Sequence, residues 1–380
     1  MRVLVIPTWY PSGEDKLMGI YHKEFTCALN KNGIEADMLY IDRQRLSKPF
    51  KYLFMKKNEI IKEANYKVYV TRMLNLRPIS FELQLKSYTK KLERAFKRYL
   101  KDNPKPDILH AQVTVPAGYA TVKLGEKYGI PVIVTEHGGK LERFFEDDTL
   151  KKYGLYVLEH STYTTVSNYM KKIALKYTDE CDVIPNQVDT SLFKNDIKRK
   201  ISNTFELLSV CALREGKRLD IAFQALKKLI DEGMDIHYSI IGDGFYESIY
   251  RQAAKDAGVE EHVTFLGRKE KSEIPTYMEN SHALMISSEI ESFAIPGIEA
   301  LASGMPVITT DCLGPSEFID DKCGAIAKVN DPEDLSRAIK KVYDNYSKYD
   351  KKYMENVAER FSERNVVTKA KDVYNKALKR

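Results

Sequence analysis

The sequence predicts an α/β protein made of two doubly wound domains, each a parallel sheet covered on both faces by helices. Three observations lead there. Short apolar or β-branched runs alternate with helical segments along the whole chain. The chain, at 380 residues, is long enough for two cores. The alternation breaks at VIPNQVDTSLFKND (183–196), where proline, asparagine and charge interrupt it. The expected domains are therefore 1–190 and 191–360. Ligands of such a pair belong in the cleft between them, at the carboxyl ends of the strands.

In the first half, VLVIP (3–7) reads as a buried strand. After Gly19, residues Ile20, Phe25, Ala28 and Leu29 fall at helical spacing, and Gly33 closes that helix. Strands follow at 35–40, 107–111, 132–136 and 163–167. The second half repeats the pattern with strands at 205–212, 237–242, 262–267, 282–287 and 306–310. Its helices are expected near 218–232, 244–257, 296–303 and 332–345. No period of 20–50 residues recurs, which excludes a solenoid.

The composition, 43% hydrophobic and 30% charged, is that of a folded chain. No apolar run approaches the roughly 18–20 residues of a membrane span. The opening MRVLVIPTWYPSGED has too short an apolar stretch for a signal peptide, so a cytoplasmic protein is expected. Its five cysteines form no CxxC pair and read as reduced, packed residues. The net charge of +6 is unevenly spread. Residues 43–105 carry 18 Lys/Arg against 5 Asp/Glu, which suggests a face for an anionic partner. Within that region, 81–101 places Leu85, Tyr88, Leu92, Phe96 and Tyr99 on one helical stripe, with lysines and arginines around the rest. Two readings stay open: a solvated face, or docking on the anionic inner face of the cell membrane. No aromatic-interleaved nucleic-acid module is present, and no nucleic-acid partner is expected.

Four stretches could carry chemistry. Gly242-Asp243-Gly244 follows a strand and opens a helix, where backbone N–H groups can approach a phosphate. The missing third glycine of GxGxxG argues against a nicotinamide cofactor. Arg214, Lys217 and Arg218 gather positive charge where a helix begins, an arrangement that an anion between them would relieve. In ESFAIPGIEALASGMPVITT (291–310), Glu291 precedes a helix start and Glu299 lies in its first turn or so. Ser292, Phe293, Ala294 and Ile295 would offer backbone donors there. Both carboxylates are expected near one spot, either binding vicinal hydroxyls or merely capping the helix. His137, beside Gly138, ends a strand and suits a site, whereas His110 fits a satisfied buried residue equally well. His22 and His160 read as structural.

These motifs, in this order, resemble the retaining family 4 glycosyltransferases of GT-B architecture. ESFAIPGIEALASGMPVITTD resembles the family's E-x7-E signature, IIGDGFYE its G-x-G turn and HVTFLGR its V-x-F-x-G strand. VIPNQVDTSLF resembles IPNGVD…F at the domain crossing; DILHAQ and VIVTEHG resemble the segments that supply acceptor-side histidines. The resemblance spans nearly the whole chain and implies two Rossmann-like domains facing across a deep cleft. It also implies that a closing helix (361–380) packs back on the first domain. Glu299 would hold the donor's ribose. Glu291, with the backbone of Ser292, Phe293, Ala294 and Ile295, would hold the donor sugar. Arg214 and Lys217 would neutralise the departing diphosphate. The turn at Gly242 would belong to the donor site, with Leu266, Gly267 and Arg268 against the nucleobase. Gly19 would let a helix start reach the phosphates, and His137 would sit near the reacting sugar. His110 and Gly138 would lie on the acceptor side.

There are departures. Cys211 and Ala212 stand where Gly and Arg are common, and Arg214 matches a variant spelling. A single Gly19 replaces a frequent Gly-Gly pair. Gln187 replaces the glycine of IPNGVD, so no donor contact is assigned to it.

The implied reaction is retaining hexosyl transfer from a nucleoside diphosphate sugar, UDP-sugar first and GDP-mannose next. The implied acceptor is a saccharide or lipid-linked saccharide of a bacterial cell-surface polysaccharide or glycolipid. No cofactor and no obligatory metal are expected, because fixed cations and helix starts can stabilise the developing diphosphate charge. The competing classes are a catalytically silent binding protein of the same fold and an unrelated two-domain cofactor enzyme.

Overall fold

The computed structural model describes residues 1–379 apart from 12–17, 45–48, 140, 198 and 202. The chain divides into two compact units. One comprises Met1–Gln187 with Glu363–Arg380, the other Val188–Ser362.

The first unit holds strands β1 (Arg2–Pro7), β2 (Glu35–Gln44), β3 (Asn58–Lys62), β4 (Lys67–Leu74), β5 (Ile108–Gln112), β6 (Val132–Glu136), β7 (Thr162–Thr165) and β8 (Asp182–Val183). They form one sheet in the order β3-β4-β2-β1-β5-β6-β7-β8. β1, β5 and β6 are apolar enough to be buried almost throughout, as strands covered on both faces must be. The sheet departs from the expected all-parallel arrangement at one edge, where β3 pairs antiparallel with β4. β3 alternates exposed and half-buried residues, as suits an edge strand covered on one side.

The helix Phe81–Asp102 starts on Ser80, whose hydroxyl accepts the Leu83 N–H at 3.3 Å. Its predicted stripe of Leu85, Tyr88, Leu92, Phe96 and Tyr99 is buried, while Lys86, Lys90, Arg94, Lys97 and Lys101 are exposed. The last helix, Glu363–Ala377, contributes Val366, Ala370 and Tyr374 to the core of this unit beside Val3, Phe25 and Ile133.

In the second unit, β9 (Phe205–Val210), β10 (Ile236–Ile241), β11 (Val263–Gly267), β12 (Ala283–Ile286), β13 (Val307–Thr310) and β14 (Gly324–Ala327) form a sheet in the order β11-β10-β9-β12-β13-β14. Every pairing is parallel. The strand order reverses between β1 and β5 in the first sheet and between β9 and β12 in the second. The carboxyl ends at those two points are where such folds place ligands.

Among the described residues, no helix is long and apolar enough to cross a membrane. All five cysteines are free. Burial pushes the thiols of Cys181, Cys211 and Cys312 up to about 11 and that of Cys323 to about 12, so they are packed side chains without thiolate character.

Candidate active site

Each unit presents chemistry at its own reversal point. In the second, a cavity of about 50 Å³ is lined by Cys211, Lys217, Ser287, Ser288, Glu291 and Ala294, among others. Lys217 closes a short 3-10 turn, Glu215–Lys217, that follows β9, and its carbonyl accepts the Ser287 hydroxyl at 2.8 Å. Lys217 Nζ lies 2.5 Å from Glu291 Oε1, which also accepts the Ser288 hydroxyl at 2.7 Å. Burial by itself would lower the Lys217 ammonium, but the Glu291 carboxylate outweighs it and holds the group above its ordinary value. Arg214 is exposed, and its guanidinium pairs with no carboxylate among the described residues.

The helix Ile295–Ala302 begins after Ala294, which is left-handed at φ 65°. Phe293 is buried against Phe318 and Phe361 with ring centroids 6.0 and 5.3 Å away, which fixes the turn. The N–H groups of Ser292, Phe293 and Ala294 donate to no group among the described residues. They are available donors beside Glu291, as the motif suggests.

Several expectations need correction. Glu299 is the fifth residue of its helix, within the first turn or so, and the two acids have different lysine neighbours. Glu291 pairs with Lys217, whereas the buried Glu299 has Lys271 Nζ 4.0 Å away. Gly242 does not aim its N–H at a phosphate, because that N–H donates to Gly267 O at 2.9 Å. The glycine is needed for a different reason: at φ 141° a Cβ would lie 1.8 Å from the Cys211 carbonyl oxygen. A Cβ on Gly244 would meet the Leu213 carbonyl oxygen at 2.2 Å. The G-x-G turn thus lets the exits of β10 and β9 touch. Leu266 and Gly267 are half-buried at the end of β11, and Arg268 beyond them is exposed.

In the first unit, Gly19 caps the helix Ile20–Lys31 at φ 80°, and a Cβ there would lie 2.5 Å from the Trp9 carbonyl oxygen. His137 is half-buried, with Nε2 2.7 Å from Gln112 Oε1. Its ring lies 4.6 Å from Tyr21 and 5.0 Å from His22. His110 is not on an acceptor surface: it is fully buried, with Nδ1 2.7 Å from the Tyr374 hydroxyl and Nε2 2.7 Å from Thr135 Oγ1. His110 is a satisfied buried residue. Gly138 is exposed next to His137 and lines a larger cavity.

Sequence reasoning missed Glu136. This buried carboxylate accepts the N–H groups of His137 and Gly138 at 2.8 and 2.7 Å, and the N–H and hydroxyl of Thr114 at 2.8 and 2.5 Å. It ties the loops after β5 and β6 together and sets the backbone of His137. An acid ending an otherwise apolar strand, VIVTE, was the available signal.

The family model described as Glycosyltransferase Family 4 matches residues 18–192, and the one described as Glycosyl transferases group 1 matches residues 193–360. This chain belongs to the group 1, family 4 glycosyltransferases. An uncharacterized glycosyltransferase of Methanocaldococcus jannaschii is 28% identical over 247 residues, 63% of this chain and 66% of the relative. The N-acetyl-alpha-D-glucosaminyl L-malate synthase of Bacillus anthracis is 26% identical over 292 residues, 72% of this chain and 75% of that protein. The amylovoran biosynthesis glycosyltransferase AmsK of Erwinia amylovora is 27% identical over 156 residues, 39% of this chain and 38% of the relative. Among solved structures, Anabaena Alr3699/HepE in complex with UDP superposes with a TM-score of 0.75 at 16% identity, covering 99% of this chain and 100% of that one. At that identity the likeness speaks for the fold alone, and the fold is GT-B.

Proposed function

We propose that this family 4 glycosyltransferase transfers a hexose, with retention of anomeric configuration, from a nucleoside diphosphate sugar to a saccharide or lipid-linked saccharide acceptor. The observation that carries the reading is the Lys217–Glu291 pair beside the free N–H groups of Ser292–Ala294. Arg214 and Lys217 supply fixed positive charge for the diphosphate as it leaves, which lowers the barrier without an obligatory metal or cofactor. Glu291 and the open N–H groups hold sugar hydroxyls, and Glu299 holds the ribose. Leu266, Gly267 and Arg268 face the base, Gly19 opens a helix start to the phosphates, and His137 stands near the reacting carbon. UDP-sugar is the first choice of donor and GDP-mannose the next; the UDP held by the Anabaena relative supports that order. The acceptor belongs to cell-surface polysaccharide or glycolipid synthesis, and the amylovoran biosynthesis enzyme among the relatives supports the polysaccharide part of that reading.

The enzyme acts in the cytoplasm, at the inner face of the membrane, which it meets through residues 43–105. There, Lys91 is half-buried near Arg98, Arg94 and Lys57, and burial together with these like charges lowers its ammonium below the ordinary value. Lys57 bonds the Tyr52 carbonyl, next to Leu53 and Phe54, which are 65% and 90% exposed. Apolar groups beside uncompensated cations suit an anionic bilayer.

The test is release of nucleoside diphosphate from UDP-, GDP- and ADP-sugars with and without chelator, with product anomers assigned by NMR. A folded Glu291→Ala variant with unchanged turnover would sink the site assignment. Membrane contact is read by co-sedimentation with anionic vesicles at low salt and about 0.5 M salt, where screening should release the protein.

A further inference from the structure

Outside the donor chemistry, the first unit holds a cavity of about 270 Å³. It lies at the carboxyl ends of β1, β2, β5 and β6, where the strand order of that sheet reverses. Its lining is of two kinds. Phe81, Leu85, Leu141 and Phe144 are apolar and aromatic. Thr8, Gln84, Arg43, Arg77 and Glu136 are polar or charged.

The polar side is unfinished. Thr8 and Gln84 are 2% and 3% exposed, yet Thr8 Oγ1 and Gln84 Nε2 have no hydrogen-bond partner among the described residues. The Gln84 amide orientation is set, because Oε1 accepts the Leu76 N–H at 2.5 Å and leaves the NH2 as the open group. Buried donors without partners are rare and costly in native proteins. Arg43 donates only to the Thr8 carbonyl, at 3.3 Å, and neither it nor the exposed Arg77 pairs with a carboxylate among the described residues. The one acid of the lining, Glu136, has both oxygens occupied by four donors.

We infer that this cavity binds an amphiphilic phosphate: a phosphoryl group among Arg43, Arg77, Thr8 and Gln84, with hydrocarbon against the aromatic wall. Two unpaired guanidinium groups, an open amide NH2 and an open hydroxyl call for an anion rich in acceptors. The apolar wall calls for a chain beside it. Identifying this ligand with the acceptor of the transfer rests on the glycosyltransferase reading above; the binding itself does not.

The probe is dodecyl phosphate below its micelle concentration, measured by calorimetry on the full chain, with inorganic phosphate and dodecyl maltoside as the two half-ligands. Dodecyl phosphate should bind at least 10-fold tighter than either. The exposed position of Arg77 makes Arg77→Met the variant least able to disturb folding, and it should weaken binding about 10-fold. Gln84→Glu keeps the acceptor for Leu76 but replaces the donor by an anion, and should weaken binding further while leaving dodecyl maltoside unaffected. Equal affinity for all three probes, or for wild type and both variants, overturns the inference. Nucleotide release from the donor sugar is measured on the same samples. Release without dodecyl phosphate binding rejects this cavity and leaves the enzyme reading standing; binding without release does the reverse.

Discussion

Lys217 and Ser288 both donate to the same oxygen of Glu291, Oε1, and leave Oε2 without a hydrogen bond among the described residues. Glu291 is therefore half-committed: one oxygen fixes the side chain, and the other is open to a hydroxyl. Glu291→Gln should strand the Lys217 charge and cost about 3 kcal/mol of stability. It should also lower nucleoside diphosphate release by about 100-fold. Lys217→Met combined with Glu291→Gln should recover most of the urea midpoint and none of the turnover. Recovery of both would mean the pair serves only the fold.

The same pair sets a limit at high pH. The folded value of Lys217 lies above the unfolded one, so its contribution is complete below about 10.5 and is lost as pH rises through the folded value. The urea midpoint of the wild type should fall more steeply above pH 10.5 than that of Lys217→Met.

Acid acts through the histidines. Burial keeps His110 and His137 neutral down to about 3 and His22 well below its ordinary value of 6.5. The unfolded chain takes up these protons first, so stability drains away as pH falls from about 6.5 toward 3. Each histidine contributes up to about 1.4 kcal/mol per pH unit. Denaturation midpoints between pH 7 and 5 read this directly, and His137→Gln should flatten the slope. A midpoint that stays level over that range would rule the mechanism out.

Gly242→Ala should be severe, because the new Cβ would lie 1.8 Å from the Cys211 carbonyl oxygen. A loss of more than about 3 kcal/mol is expected, from strain in both strand exits. Gly33→Ala is the control: it also has positive φ, but nothing lies within 4 Å, and about 1 kcal/mol should be lost. Calorimetric Tm values for the two should differ accordingly.

Tyr374→Phe removes the hydroxyl that lies 2.7 Å from His110 Nδ1 inside the first unit. About 1–2 kcal/mol should be lost, since a buried ring nitrogen is left bare. Hydrogen exchange should show the loss in β5 as well as in the last helix.

The two-domain architecture was legible because strands buried on both faces read as unbroken apolar runs, and VLVIP and VIVTE are of that kind. The edge pair β3–β4 was not, because NEIIK has too few apolar residues to stand out within a basic region. Of the motif residues found by spacing, Lys217, Glu291 and Ala294 line one cavity. What spacing could not show was which acid faces which cation, since Glu291 and Glu299 divide Lys217 and Lys271 between them only in three dimensions. Nor could it show that Gly242 serves backbone contact, or that His110 is enclosed by a tyrosine 264 positions away. Thr8 and Gln84 belong to no spaced motif, and their importance appears only when their hydrogen bonds are counted.

The last helix has a consequence for biosynthesis. Because Val188–Ser362 is an insertion within the other unit, a ribosome completes the inserted unit before it makes Glu363. The nascent first unit emerges earlier but lacks Val366, Ala370 and Tyr374, so its core stays unfilled until that helix has been made. Until Glu363–Ala377 has been made, the first sheet stays open and His110 is still waiting for its phenol.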